Sequence, residues 1–275
     1  FRERAPSAAH SKMYLDKDGN EIKGKSLTGI NAVGVPGLVA GILDVHKKYG
    51  KLNLTTILKP AIKLAEEGFE IYPELDKALK YKEGDLALFP SSKKIFFKNG
   101  KVLKLGELLV QKDLAETLKL IAKNGHDGFY KGKVADAIIS AGNQITQNDL
   151  DQYNVKYRKP IKGTYKDKII YSMSPPSSGG IHVIQILNIL EGDSLKNIGI
   201  HQPESVHLTS AAMQAAFADR AKYLGDSDFV KVPIAGLVSK KYAKEIRSKI
   251  KNKVALKKSN RSAGNPFPYE SDETT

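Results

Sequence analysis

The chain has 275 residues, with 44 Lys and Arg against 30 Asp and Glu, a formal net charge of +14, and no cysteine or tryptophan. A hydrophobic share of 41% is too high for a disordered chain of this charge, and the length allows one large domain or about two smaller ones. The absence of cysteine excludes disulfides, thiolate zinc sites and a cysteine nucleophile, but it leaves the cellular compartment open.

Both ends of the chain have the character of cut ends. The opening FRERAP is neither an initiator methionine nor a signal peptide, and residues 269–275 form a polar strip. No apolar run reaches the ~18–20 residues needed to span a bilayer. We therefore expect a piece of a longer protein, without a membrane span.

The first part of the chain has the periodicity of helices separated by turn residues. Residues 33–50 predict a Gly/Pro turn and an amphipathic helix, with Pro36 in the first turn and Gly50 as the C-cap. Residues 54–68 repeat this pattern with an apolar stripe. Two consecutive helices are therefore expected here.

Strands are predicted in two places. Residues 91–106 predict a hairpin around Asn99-Gly100, and residues 153–173 alternate apolar and polar positions like two strands of a sheet. Helices are predicted at about 109–124, 132–142, 147–152, 181–192 and 203–224. Helices that cluster around a few strands, without strand–helix alternation, indicate something other than a doubly wound fold.

Much of the positive charge lies in one segment. Residues 240–261 contain ten Lys or Arg and one Glu, a net charge of +9. A nucleic-acid surface would interleave such charges with aromatic side chains, and Tyr242 is the only aromatic residue in the segment. The pattern favours a solvated amphipathic helix followed by a basic loop, with nucleic-acid binding as the rival interpretation.

The six histidines form no HxH or HxxxH pair, so a metal site is not expected. His182 at a helix start favours a packed or capping role. His201 and His207 flank a predicted helix N-terminus, where solvent exposure is expected.

The sequence SPPSSGG at 174–180 interrupts the strand pattern ahead of a helix. It lacks the lysine of a phosphate loop and does not match a GxSxG nucleophile turn. The N–H groups at Gly179 and Gly180 could hold an anion. A strand-to-helix turn with serine caps is the simpler interpretation.

The closing Glu273-Thr274-Thr275 gains meaning only if a threonine becomes a new N-terminus. A threonine needs a base beside its hydroxyl, and a freed α-amine with an ordinary pKa of about 7.7–8.0 supplies one. Such a residue must first be released by peptide cleavage. Residues 262–273 are polar and fit either a strand that bends onto its own hydroxyl or a flexible linker.

Nine segments of the chain, in the same order, resemble the γ-glutamyltranspeptidase family, whose members are also called glutathione hydrolases. The resemblance covers essentially the whole chain and is strongest to enzymes of proteobacterial type. The segments are FRERAP (1–6), AVGVPG (32–37), HKKYGKL (46–52), PAIKLAEEGFEI (60–71), GFYKG (128–132), DLDQYNVKYRKPIKGTY (149–165), SMSPPSSGGIHVIQILNILE (172–191), ADRAKYLGDSDFVKVP (218–233) and ESDETT (270–275).

The resemblance implies an α+β fold, the four-layer αββα arrangement of N-terminal-nucleophile (Ntn) hydrolases, incomplete and helix-rich in this fragment. Residues 1–275 would be a portion of one domain: a large subunit truncated at its front and ending just past the autocleavage site. The implied partner is a small subunit from the same exported precursor, in the periplasm or secreted. No metal, organic cofactor or nucleic acid is implied, and the fragment alone is expected to be inactive.

The resemblance also assigns the catalytic and substrate-binding residues. Thr274 would be the nucleophile after cleavage at Glu273–Thr274, and it is preferred to Thr275. Arg2 would bind the α-carboxylate of a γ-glutamyl substrate, because a guanidinium holds a planar carboxylate by two parallel hydrogen bonds. Arg4 is the nearest competitor, and its simpler role is a surface or structural ion pair.

The SPPSSGG segment would line or support the site through Ser177, Ser178, Gly179 and Gly180. Because the family's oxyanion-hole glycines lie in the small subunit, that role is not assigned to these glycines. The implied activity is transfer of a γ-glutamyl group, from glutathione in particular, to water or to amino acids. The alternative is a relative that acts on poly-γ-glutamate or on acylated cephalosporin-type substrates.

Overall fold

The structure is a computed structural model that describes residues 2–142, 144–252, 254 and 262–270. The chain divides into two compact units, Phe1–Lys156 and Tyr157–Thr275. Each unit has its own hydrophobic core, so each is described by itself.

The first unit is built mainly from helices, with two small antiparallel sheets. Its α-helices are α1 (Leu38–Tyr49), α2 (Leu54–Glu67), α3 (Pro73–Ala87), α4 (Pro90–Phe96), α5 (Lys112–Asn124), α6 (Asp127–Tyr130), α7 (Gly132–Ser140) and α8 (Gln147–Asp151), after a 3-10 turn at Ile30–Ala32. Its strands are β1 (Phe69–Glu70), β2 (Phe97–Lys98), β3 (Lys101–Val102) and β4 (Leu108–Leu109). Strand β1 pairs with β4, and β2 pairs with β3.

The first unit contains two separate apolar clusters. One cluster joins α1, α6, α7 and α8 to the segment before α1, and the other lies under α3, α4 and the short strands. The first cluster consists of Val35, Ala40, Tyr130, Ala135, Ile145, Leu150 and Tyr153. Because Val35 and Tyr153 belong to it, the segment that carries Arg2 rests on a packed base.

The second unit packs a hairpin and several helices around one apolar helix. Its elements are β5 (Ile161–Tyr165), β6 (Lys168–Ser172), α9 (Gly179–Leu190), α10 (Leu195–Ile198), α11 (Pro203–Tyr223), α12 (Ile234–Val238) and α13 (Lys240–Lys249), with a 3-10 turn at Phe267–Tyr269. Ile181, Ile184 and Ile189 of α9 are at most 1% exposed and contribute to a core shared with α11, α12 and α13. Helix α9 is thus the centre of this unit.

Most of the predicted helices are confirmed. Helix α1 ends at the predicted cap, where the Gly50 N–H donates to the His46 carbonyl, although Pro36 lies before the helix rather than in its first turn. Helix α2 begins with Asn53 as a side-chain cap and ends at Gly68, which has a positive φ of 89°. The two strands predicted within 153–173 are present as β5 and β6, which pair antiparallel over a shorter range.

The hairpin predicted over 91–106 is wrong in its first half. Pro90 occupies the first turn of α4, so Ile95 and Phe96 belong to a helix and not to a strand. The turn itself is correct, since Asn99 and Gly100 both have positive φ values, 51° and 77°. The residue pattern also predicts no element over 73–87, where α3 lies, because charged residues obscure its apolar stripe.

The basic segment begins as the predicted amphipathic helix. Helix α13 buries Tyr242, Ala243 and Ile246, while Lys241, Lys244 and Lys249 are exposed. Residues 253 and 255–261, the predicted basic loop apart from Val254, lie outside the described residues. Within the described part of the chain, no helix is long and apolar enough to cross a membrane.

Candidate active site

Arg2 is anchored through its backbone. The Tyr153 hydroxyl donates to the Arg2 carbonyl oxygen at 2.6 Å, across 151 residues of sequence. The Arg2 side chain is exposed, and no carboxylate of the described residues lies within ion-pair distance of its guanidinium. The main chain is therefore fixed while the guanidinium faces solvent.

A pair of parallel tyrosines supports this anchor. The rings of Tyr130 and Tyr153 lie 6.1 Å apart at an interplanar angle of 6°. The Tyr130 hydroxyl donates to the Pro36 carbonyl at 2.8 Å and accepts from the Ala40 N–H at 3.2 Å. Burial raises the pKa of both phenols, so they remain protonated donors at neutral pH.

Gly37 explains part of the AVGVPG motif. A Cβ added at Gly37 would lie 2.0 Å from the Tyr153 hydroxyl and 2.8 Å from the Arg2 carbonyl oxygen. Neither neighbour is a free side-chain end, because the hydrogen bond between Tyr153 and Arg2 holds both. Only glycine leaves room for the anchor at this position.

The residues after Arg2 are fixed by two further contacts. Arg4 and Val35 form an antiparallel bridge, with N···O distances of 3.3 Å and 2.7 Å. Asp149 accepts from the backbone N–H of Ser7 at 2.8 Å and from its hydroxyl at 3.1 Å. Burial raises the pKa of Asp149, but the hydrogen bonds from Thr146 and Ser7 outweigh this effect and hold it below its usual value.

Arg4 does not make the ion pair considered for it within the described residues. Its side chain is exposed like that of Arg2, and its contribution to the fold is the backbone bridge to Val35. The two arginines differ in their main-chain contacts, since only the Arg2 carbonyl is held by a tyrosine. The choice of Arg2 for the substrate carboxylate stays a prediction.

The SPPSSGG segment forms the predicted turn between strand β6 and helix α9. Ser177 Oγ accepts from the Gly179 N–H at a long 3.4 Å, whereas Ser178, at the N-cap position, makes no capping bond. Ser178 Oγ instead accepts from Arg220 Nε at 3.2 Å. The expected serine caps are thus only partly present.

Gly180 is required for the close approach of this turn to itself. A Cβ at Gly180 would lie 2.1 Å from the Met173 carbonyl oxygen, whereas the nearest atom to a Cβ at Gly179 is Ser177 Oγ at 3.6 Å. The two neighbouring glycines therefore have different structural roles. The supporting role of these residues in an active site stays a prediction.

Glu273, Thr274 and Thr275 lie outside the described residues. The segment before them, residues 262–270, is described, and we call it the approach segment. The Gly264 N–H donates to Asp219 Oδ1 at 2.9 Å, and the Tyr223 hydroxyl donates to the Gly264 carbonyl at 2.6 Å. Both backbone groups of Gly264 are therefore bound by helix α11.

The far end of the approach segment is held as well. Glu270 Oε2 accepts from the Gly236 N–H at 2.8 Å, and the Tyr269 hydroxyl donates to Glu245 Oε2 at 2.7 Å. A Cβ at Gly236 would lie 2.2 Å from the Pro266 carbonyl oxygen. These contacts differ from the flexible linker that composition allowed, and residues 267–269 form a 3-10 turn instead of a strand.

Asp219 is a buried polar residue near the approach segment that the sequence analysis did not single out. It is 1% exposed, and its Oδ2 accepts from Gln185 Nε2 at 2.6 Å and from the Tyr242 hydroxyl at 2.8 Å. Burial and the neighbouring Asp219 raise the pKa of Tyr242 far above its usual value. Its burial could have been predicted from helical spacing, because Asp219 lies on the same buried side of α11 as Leu208, Ala212 and Ala216.

The histidines follow their simpler interpretations, with one exception. His182 is 7% exposed and stacks on Phe217 with ring centroids 5.4 Å apart, which confirms a packed role. His201 is exposed, but His207 lies inside α11, half-buried, with its Nε2 2.9 Å from the Lys251 carbonyl oxygen. No group of three potential metal ligands occurs within the described residues.

Comparison with known proteins shows which protein family this chain resembles. The family model described as Gamma-glutamyltranspeptidase matches residues 1–275. The glutathione hydrolase proenzyme of Escherichia coli (strain K12) is 45% identical over 280 residues, which covers 100% of this chain and 48% of that protein. The chain thus spans about half the length of the curated relatives that it matches.

Solved structures and other relatives agree on the fold. The crystal structure of Helicobacter pylori γ-glutamyltranspeptidase superposes with a TM-score of 0.94 at 45% identity, covering 96% of this chain and 77% of that one. An Acylase ACY 1 proenzyme from Pseudomonas sp. (strain SE83) is 40% identical over 256 residues, which covers 90% of this chain and 46% of that protein. The helix-rich α+β expectation of the Ntn-hydrolase class is therefore confirmed.

Proposed function

Because this chain belongs to the γ-glutamyltranspeptidase family, we propose that the whole protein is a γ-glutamyltransferase and glutathione hydrolase. The observation that carries the proposal is 45% identity to a glutathione hydrolase proenzyme over all of this chain. The exposed Arg2 guanidinium on a fixed backbone supports it, because among the described residues it has no carboxylate partner to lose before it binds a substrate carboxylate.

Maturation is the first reaction that we assign. Thr274 Oγ attacks the carbonyl carbon of Glu273, the Glu273–Thr274 C–N bond breaks, and the acyl group moves to the hydroxyl as an ester. The proton from the hydroxyl passes to the nitrogen, which becomes the free α-amine of Thr274. Water then hydrolyses the ester and leaves Glu273 with a carboxylate and Thr274 with a free hydroxyl.

Turnover uses the amine that maturation releases. The α-amine of Thr274 takes the proton from Oγ, which attacks the γ-carbonyl of the substrate, and the proton then passes to the departing amine. A γ-glutamyl ester remains on Thr274. Attack by water completes hydrolysis, and attack by the amine of an amino acid completes transfer. Arg2 holds the α-carboxylate of the γ-glutamyl group by two parallel hydrogen bonds.

The biological setting is part of the same proposal. The relatives are proenzymes of which this chain covers about half, which supports a small subunit made from the same precursor. Residues 1–275 would form a portion of one domain of the large subunit, in the periplasm or secreted. Ser177, Ser178, Gly179 and Gly180 would support the site, and the reaction as written uses no metal or organic cofactor.

One alternative has an observation in its favour. The 40% identity to an Acylase ACY 1 proenzyme supports a relative that acts on another acyl substrate. The candidates remain acylated cephalosporin-type substrates and poly-γ-glutamate. Nucleic-acid binding through 240–261 loses support, since Tyr242, its only aromatic residue, is 0% exposed and cannot stack on a base.

The test is a substrate comparison with the full-length protein. We expect release of the aniline from a γ-glutamyl anilide, and much slower reaction with a cephalosporin side-chain analogue. A full-length protein that cleaves itself but is inert toward the anilide would contradict the proposed function and favour the acylase alternative.

A further inference from the structure

The approach segment ends at Glu270, three residues before the bond that we propose is cleaved. Its first fixed point is a cluster that we call the Asp219 anchor: Asp219, Gln185, Tyr223, Tyr242 and Gly264. Helix α11 contributes two side chains, helices α9 and α13 contribute one each, and the approach segment contributes a backbone amide and carbonyl. The anchor thus ties three helices to one glycine.

The Asp219 carboxylate is unusual because it is buried in the interior of the second unit. A buried carboxylate is unfavourable unless hydrogen bonds replace its hydration, and here an amide, a phenol and a backbone N–H do so. A purely apolar core would need none of these groups. The backbone N–H comes from Gly264, 45 residues away, so the carboxylate fixes a distant chain segment as well as its own helix.

Gly264 shows how tightly this segment is seated. A Cβ there would lie 2.2 Å from the Tyr242 hydroxyl and 3.0 Å from its Cζ. At the other end, Glu270 binds the N–H of Gly236, and Pro266 lies against the same glycine. The two ends of the approach segment are therefore attached to different parts of the second unit.

We propose that Asp219 and Glu270 are positioning residues for the autocatalytic cleavage, which they assist by holding both ends of the approach segment. The inference rests on the proposed function, since it presumes cleavage at Glu273–Thr274. Holding the chain upstream of the reacting bond removes conformational freedom that the attack of Thr274 would otherwise have to overcome. After cleavage the attachment is no longer needed for turnover.

The variants for the test are Asp219→Asn and Glu270→Gln in the full-length precursor. Asparagine at 219 must turn its NH₂ toward at least one of three donors, so one hydrogen bond is lost. Glutamine at 270 replaces the charged acceptor of the Gly236 N–H. Losing a hydrogen bond to a charged group corresponds to a rate change of about 10- to 100-fold, so we expect cleavage to be slower by about this factor in each variant.

Ser205→Ala is the matched control. Ser205 is also a buried polar residue of α11, but its hydroxyl donates to the Gly199 carbonyl and does not contact the approach segment. The cleavage time course is followed on denaturing gels, and the unfolding midpoint is measured in a Thr274→Ala background that keeps every variant as one chain. We expect Ser205→Ala to lower the midpoint while cleavage stays near the wild-type rate.

A compensating pair separates positioning from general stability. Gly264→Ala should slow cleavage because its Cβ meets the Tyr242 hydroxyl. Adding Tyr242→Phe should restore only part of the rate, because it removes that oxygen and also its hydrogen bond to Asp219. In addition, kcat of fully matured Asp219→Asn and Glu270→Gln enzyme should stay within about threefold of wild type. A merely structural role would not produce this combination.

Two results would overturn the inference. One is wild-type cleavage rates in both Asp219→Asn and Glu270→Gln; the other is slowing of cleavage in Ser205→Ala equal to that in Asp219→Asn at a similar unfolding midpoint. A wild-type precursor that never cleaves would instead refute the proposed function. That outcome is measured on the wild-type protein alone and does not depend on these variants.

Discussion

At the scale of single residues, Arg2 owes its position to partners that are far away in sequence. Tyr153 holds its carbonyl, Gly37 leaves the space for that bond, and Tyr130 stacks beneath Tyr153. The exposed guanidinium has two parallel donors to offer to a carboxylate, whereas an ammonium group is a single point charge. A conservative replacement should therefore be harmful here.

We predict that Arg2→Lys lowers kcat/KM for a γ-glutamyl substrate by about 10- to 100-fold, mostly through KM, because the bidentate bond to the α-carboxylate is lost. Steady-state kinetics of the mature enzyme measure the effect. Arg4→Lys is the matched control and should change kcat/KM by less than about threefold. A larger loss in Arg4→Lys would transfer the carboxylate-binding role to Arg4.

Thr274 is the residue on which the proposed chemistry depends. We predict that the full-length Thr274→Ala precursor remains a single uncleaved chain, because alanine lacks the attacking hydroxyl. Thr275→Ala should still cleave, and gel mobility distinguishes the two. Normal processing of Thr274→Ala would place the nucleophile at Thr275 or elsewhere.

We expect His182 to make the second unit less stable in acid. Burial, together with a smaller contribution from Arg220, lowers the pKa of His182 below its ordinary value of 6.5, while the Ala216 carbonyl and Asp219 oppose the shift. The unfolded chain therefore binds a proton more readily than the folded chain. The stabilising contribution is complete above the unfolded pKa and is lost as the pH falls through the folded pKa.

We predict that His182→Gln reduces the fall in thermal unfolding midpoint between about pH 7.5 and pH 5, because glutamine does not titrate in this range. Thermal unfolding of His182→Gln and of the unmodified sequence is compared at both pH values, each in the full-length Thr274→Ala background that stays uncleaved. The same pH dependence in variant and wild type would assign the acid sensitivity to other groups.

At the scale of elements, local sequence predicted most helices but not the junctions between elements. The period of apolar residues is a property of ten to fifteen neighbouring positions, so α1, α2, α5 and α11 could be recognised. Helix α4 was missed because Ile95 and Phe96, at its end, fit either a strand or a helix, and the core beneath them selected the helix. Short apolar runs are ambiguous for this reason.

The turn before α9 allows a test with two adjacent glycines. We predict that Gly180→Ala destabilises the protein by about 1–3 kcal/mol, because its Cβ would lie 2.1 Å from the backbone carbonyl of Met173, which cannot move freely. Gly179→Ala should stay within about 0.5 kcal/mol of wild type. Chemical denaturation measures both variants, and equal effects would contradict this account of the turn.

At the scale of the whole molecule, the chain spans about half the length of its curated relatives. Large apolar side chains are exposed along one side of α11, namely Val206, Met213 and Phe217, although the opposite side is already buried in the core. A helix that is apolar on both sides is usually buried on both. The second unit thus has more apolar surface than its own core covers.

We predict that the isolated 275-residue chain does not release aniline from a γ-glutamyl anilide. Thr274 is not an N-terminus in it, and the α-amine that serves as base is absent. The cleaved full-length protein, assayed at the same concentration, is the control. Turnover by the isolated chain would refute the assignment of the base to the α-amine.

The sequence alone determined what is local or compositional. The absence of cysteine removed thiol chemistry, helical periods located most helices, and ordered motifs indicated the family that the comparisons confirmed. Tertiary structure decided which distant residues meet: Tyr153 with Arg2, and Asp219 with Gly264. The physical reason is that hydrogen bonds across 151 and 45 residues depend on how helices pack, and no local period encodes that packing.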